Sequence, residues 1–215
     1  MKLGSFDLLV QALEKAGVRY LVAGGLAVNA HGYLRFTRDV DLVLQLSPEN
    51  IRAAFAALKT IGYRPLVPVT AADFANPAQR EQWIRDKGMT VLNFWCDQHR
   101  DTPVDIFVTE PFDFDQEYGR ALAKPLGPVA VRFVSIPTLK IDSTSSICEG
   151  FPIRQSGEGA IDWSLCTWAG AEREQLRRWA ALSLEEIVRA QEEMQSLADR
   201  LAGPGNSTTE TRIRV

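Results

Sequence analysis

Residues 20–46, YLVAGGLAVNAHGYLRFTRDVDLVLQL, constrain the fold of this chain more than any other stretch. The apolar run Tyr20 to Ala23 is short enough for a buried strand. Gly24 and Gly25 then interrupt it, and without side chains they let the backbone bend sharply or approach a ligand closely. Leu26 to His31 is helix-compatible and ends at Gly32, a plausible C-cap. After Arg35-Phe36-Thr37-Arg38 comes Asp39-Val40-Asp41-Leu42-Val43-Leu44, which reads as a strand with acids at alternate positions.

Successive side chains on a strand point to opposite faces, so Asp39 and Asp41 project from one face and Val40 and Leu42 from the other. Two carboxylates this close repel each other unless a cation lies between them. Hard oxygen ligands of this kind suit Mg²⁺, which takes carboxylates together with substrate phosphates. A Gly-Gly turn just upstream offers backbone N–H groups to a phosphate chain. Taken singly, each feature has a plain structural reading. The glycines can be a turn, the acids can be solvated residues on an edge strand, and a third acid, Asp105, can pair with Arg35 or Arg38. Taken jointly they favour a site.

The order Gly24-Gly25, Arg35-x-Thr37-x-Asp39-x-Asp41, with Asp105 in a later strand-like run, Thr102 to Val108, resembles the signature of the DNA polymerase β-like nucleotidyltransferase superfamily. Within it, the spacing is similar to that of the minimal and AbiEii-type bacterial nucleotidyltransferases, several of them toxins of toxin–antitoxin pairs. The resemblance covers roughly residues 5–137. It implies transfer of NMP from an NTP such as ATP to an acceptor hydroxyl of tRNA, protein or a small molecule. It also implies a two-Mg²⁺ site on Asp39, Asp41 and Asp105, with Asp105 completing the acceptor-side metal and helping to deprotonate the acceptor. Gly24 and Gly25 would admit the triphosphate, Arg35 or Arg38 would balance phosphate charge, and Thr37 and Arg35 can equally serve to fix the loop. An antitoxin partner is a family implication. The alternative from another class is a catalytically silent module that uses the same fold to bind nucleotide or protein.

Hydrophobic residues at 46% and charged residues at 24% are those of a globular chain. The net charge of −3 gives no global pull toward nucleic acid, which weighs against tRNA without excluding it. Three cysteines (Cys96, Cys148, Cys166) lack metal-ligand spacing and fit a reducing compartment, and with only His31 and His99 a zinc site is improbable. No segment has the length of a membrane span and the N-terminus is not a signal peptide, so a cytoplasmic protein is expected.

Along the chain, the apolar spacing of Phe6, Leu9, Val10 and Leu13 predicts a helix over 5–16, with Ser5 as N-cap and Gly17 at its end. Ser47-Pro48 starts a helix that runs to about Thr60. Residues 64–69 are extended, and 70–86 read as a helix or half-helix with a loop at 73–76. Residues 89–95 and 103–109 read as an antiparallel hairpin, with Asp105 and Phe107 on one face. Residues 111–124 read as a loop with a turn of helix, and 129–136 as a last strand ended by Pro137. Residues 172–201 regain a helical period, broken near Ser183 by a capping box with Glu186. The fold class is α+β: a mixed sheet forming a nucleotidyltransferase core flanked by helices. The expected organisation is a catalytic core over 1–137, an irregular connector over 138–170, C-terminal helices over 171–202 and a disordered tail over 203–215. The connector and the C-terminal part depart from the family pattern, and no substrate contacts are carried onto them.

Overall fold

The computed structural model describes residues 1–33, 35–142 and 176–202, and over these the chain is α+β with one mixed sheet. Helix α1 (Leu3–Lys15) buries Phe6, Leu9, Val10 and Leu13, a single stripe that packs against helix α3 and the sheet. Each such side chain contributes about 1.5–3 kcal/mol by leaving water. The helix begins earlier than Ser5, with Lys2 at the N-cap; the Ser5 hydroxyl bonds the Nδ1 of His99 at 2.9 Å instead. Strand β1 (Tyr20–Val22) is wholly buried. Helix α2 (Gly24–Ala30) starts at the glycine pair rather than after it, because Gly24, at φ +58°, makes the turn directly into the first helical residues. Strand β2 (Val40–Leu44) follows, then α3 (Pro48–Thr60), where the Ser47 hydroxyl accepts from the Asn50 N–H.

Beyond β3 (Arg64–Pro65) lie two short helices, α4 (Ala71–Ala75) and α5 (Pro77–Lys87), with no loop at 73–76. Asp73 is drawn into α4 by a reciprocal capping box with Thr70, and Asn76 caps α5 ahead of Pro77. Strands β4 (Val91–Trp95) and β5 (Val104–Phe107) form the expected antiparallel hairpin. Residues 111–124 are more ordered than a loop: they hold helix α6 (Phe114–Arg120) and the start of strand β6 (Leu122–Leu126), paired through Gly127 to β7 (Val129–Phe133). Pro125 hides β6 in the sequence, yet β6 is the sheet's last strand, where a missing N–H costs nothing. Pro137 does not end the ordered chain. It sits in the first turn of helix α7 (Ile136–Asp142), so residue 137 falls inside a helix.

The sheet order is β3-β4-β5-β2-β1-β7-β6. Its centre sets the site: β2 runs parallel to β5 with Asp41 opposite Asp105, and antiparallel to β1 with Val22 opposite Leu42. Near the C-terminus, residues 176–181 are helical, and the Ser183–Glu186 capping box opens the C-terminal helix, Leu184–Ala202. That helix packs on α1, α2 and β6. The Lys124 ammonium donates to the carbonyls of Ala180 and Leu182, fixing the preceding turn. Residues 143–175 and 203–215, with Cys148, Cys166 and the expected tail, lie outside the described residues; Cys96 is a buried free thiol. Among the described residues no helix is long and apolar enough to cross a membrane.

One buried charge ties α6 to α7. Glu117 is 0% exposed and accepts from the Ser135 N–H, the Arg120 guanidinium and the Thr138 hydroxyl. Burial pushes its carboxyl up, but these hydrogen bonds outweigh burial and hold it below the ordinary glutamate value. The folded chain therefore gains stability above the unfolded-state value and loses it as pH falls through the lower folded value. Glu117→Ala should cost roughly 2–3 kcal/mol by urea unfolding at neutral pH, because it leaves buried donors unpaired. The difference from wild type should shrink on acidification.

Candidate functional site

Asp39 stands just ahead of β2, Asp41 inside it and Asp105 in β5. The parallel register and the shared strand face bring a carboxylate oxygen from each within 4.8 Å of the other two, all half-buried. Three carboxylates at this separation form an oxygen donor set for a hard divalent cation. Asp105 pairs with neither Arg35 nor Arg38; it accepts from the Asn93 side-chain amide at 2.8 Å, across the β4–β5 ladder. Burial raises its pKa, the Asn93 hydrogen bond opposes this, and the nearby Asp39 charge adds to the rise.

Gly24 and Gly25 sit against the acids. The antiparallel β1–β2 pairing runs on to the Ala23 N–H, which donates to the Asp41 carbonyl at 2.9 Å, so the chain turns beside Asp41. A Cβ on Gly24 would overlap an Asp41 carboxylate oxygen, and one on Gly25 would lie 2.7 Å from the Thr37 hydroxyl. Thr37 is buried and donates its hydroxyl to Asp39 at 2.8 Å. It thus touches an acid directly, while Arg35 and Arg38 are exposed and form no ion pair among the described residues.

Sequence reasoning passed over three residues that shape the site. Asn93 is the one polar side chain in the apolar run Val91 to Trp95, a visible anomaly. Asn29 is buried in α2, accepting from the Arg35 N–H and donating to the Arg35 carbonyl, both at 2.7 Å, which pins the loop before the acids. Its signal was an amide on an otherwise apolar helix face. Gln191, on the C-terminal helix, accepts from the Thr37 N–H at 2.9 Å across 154 positions, and nothing local in the sequence marks it.

No protein-family model matches the chain, and no curated protein sequence matches it. Among solved structures it is similar to the solution structure of the antibiotic-resistance factor ANT(2'')-Ia, with TM-score 0.42 and 14% identity over 93% of this chain and 96% of that one. It is also similar to the crystal structure of ANT(2'')-Ia in complex with adenylyl-2''-tobramycin, with TM-score 0.39 and 12% identity over 91% of this chain and 98% of that one.

Gly24→Ala would force a Cβ into Asp41 and hold a non-glycine residue at positive φ, a strain of about 1–2 kcal/mol before the clash is counted. Urea unfolding should show the lower stability. The raised Asp105 lets the folded, metal-free protein keep a proton that the unfolded chain has released, so this carboxyl makes stability fall as pH rises through the raised value. Asp105→Asn removes that contribution. Its urea midpoint should gain on wild type as pH rises from the ordinary carboxylate value through the raised one.

Proposed function

We propose that the chain is a metal-dependent nucleotidyltransferase of the DNA polymerase β-like superfamily, moving NMP from an NTP to an acceptor hydroxyl. The observation that carries this reading is the convergence of Asp39, Asp41 and Asp105 beside the glycine turn, whose missing side chains leave room at the Asp41 carboxylate. The donor set fits Mg²⁺: all three groups are carboxylates, and their mutual repulsion is relieved by a cation.

Asp39 and Asp41 would hold both metals, and Asp105 the acceptor-side one. When bound, the cations neutralise charge on the attacking and leaving oxygens of an in-line displacement. The acceptor oxygen forms a bond to the α-phosphorus, the bond to the β-phosphate bridging oxygen breaks, and pyrophosphate leaves. Asp105 would take the acceptor's proton and pass it to solvent. Gly24 and Gly25 let the backbone approach the triphosphate, and the exposed Arg35 and Arg38 balance its charge. Thr37, a candidate nucleotide contact, would also orient Asp39 through its hydroxyl. The catalytic core would comprise residues 1–137 together with the rest of α7, to Asp142. The acceptor is tRNA, a protein or a small molecule, and a toxin role within the AbiEii-type group would appear as growth arrest on expression, relieved by a neighbouring gene's product.

Incubation with each α-phosphate-labelled NTP, Mg²⁺ and cell lysate should move label to one acceptor class, with a loss of at least about 100-fold in Asp39→Ala/Asp41→Ala. Binding of Mg²⁺ and NTP with no label on any acceptor in the lysate would point instead to a catalytically silent module. Mg²⁺ at about a hundredfold excess over its Kd should raise Tm by roughly 5–10 °C, and a chelator should reverse this.

A further inference from the structure

Gln191 and Gln195 lie one turn apart on the C-terminal helix and are 0% and 8% exposed. Burying a side-chain amide costs about 1–3 kcal/mol unless its hydrogen bonds are made. Here they are half made: among the described residues, the Nε2 of Gln191 and the Oε1 of Gln195 have no hydrogen-bond partner. An apolar residue of equal size at position 191 would avoid that cost, so the amide's contribution lies in the one bond it does make. That bond is Gln191 Oε1 accepting from the Thr37 N–H at 2.9 Å, in a buried position.

Thr37 belongs to the segment between α2 and β2, where neither helix nor strand supplies a partner for its N–H. It is held on three sides. Gln191 bonds its backbone, Gly25 lies close enough that even a methyl there would clash with its side chain, and its hydroxyl donates to Asp39 at 2.8 Å. The orientation of the Asp39 carboxylate therefore depends on where Gln191 holds Thr37.

We propose that Gln191 is a positioning residue for the cation site, acting through Thr37 to set Asp39 and thereby making the C-terminal helix part of the catalytic apparatus. The inference rests on reading the three aspartates as a metal site. Hydrogen-bonded groups one step removed from a metal ligand are worth 10–100-fold in metal affinity.

The test is Mn²⁺ titration of the full chain without nucleotide, followed by electron paramagnetic resonance, with thermal unfolding of every variant recorded alongside. Thr37→Val, one step from Asp39, should weaken Mn²⁺ binding about tenfold, and Gln191→Met, one step further out, should weaken it severalfold and by no more than Thr37→Val. The double variant should lose little beyond the worse single one, because both act through the same bond to Asp39. Gln191→Asn, which keeps an amide but withdraws it by one methylene, should reproduce the loss if the methionine variant does not fold. Wild-type affinity in Gln191→Asn or Gln191→Met, or losses that multiply in the double variant, would overturn the inference, provided that wild type binds Mn²⁺ and Asp39→Asn does not. A wild-type chain that binds no Mn²⁺ would overturn the metal site itself, and the inference with it.

Discussion

The parallel pairing of β2 with β5 is the constraint on which the rest depends. It sets Asp41 opposite Asp105, with the same face of each strand carrying the acids, so that repulsion among three half-buried carboxylates is built into the centre of the sheet. Central strands tolerate such a cluster only if its neighbours absorb it. On the opposite face Val40, Leu42, Val104 and Ile106 are fully buried, and that apolar layer fixes the register. A slip of one residue would turn the acids into the core, at a cost that no hydrogen bond nearby could offset.

Around the cluster, each acid is held by a different part of the chain. Asn93 reaches Asp105 from β4, Thr37 reaches Asp39 from the preceding loop, and Gly24 yields space to Asp41 from the other side. The loop that carries Thr37 has no regular structure, yet it is tied down by Asn29 at Arg35 and by Gln191 at Thr37. Side-chain hydrogen bonds do here what a ladder does in a strand. A site on such a loop keeps its geometry only while both anchors hold, which links the packing of the C-terminal helix to the position of a carboxylate more than a hundred residues away in the chain.

Asp39 and Asp41 were legible in the sequence because strand alternation is a local rule: acids at alternate positions of an apolar run can be read without knowing the fold, whereas Asp105 stood out only as the lone acid of an apolar run where the family resemblance implies a third carboxylate. The glycine pair was legible as a break but not as a helix start, since whether a positive-φ glycine ends one element or begins the next depends on what lies beside it, here Asp41. Strand β6 was hidden by Pro125, whose cost vanishes only at a sheet edge that the sequence does not announce. Helix α7 was hidden in the same way by Pro137, which ends a strand and opens a helix with equal ease. Gln191 was out of reach altogether. A glutamine on an amphipathic helix is ordinarily solvated, and only the tertiary packing of that helix shows this one to be buried.

The electrostatics of the site also bear on how a nucleotide would enter it. Without cations the site presents three carboxylates to a triphosphate that is itself strongly negative. The exposed Arg35 and Arg38 on the adjoining loop carry fewer charges than the acids do. At the half-buried positions of these aspartates the repulsion is only partly screened by water and salt. Metal-free acids therefore repel a nucleotide, and under the proposed function the cation and the phosphates would arrive together or the cation would come first. Gly24 bears on the same balance: a single methyl group there would occupy the space filled by the Asp41 carboxylate, so the bare backbone is what lets that acid take its place beside the other two.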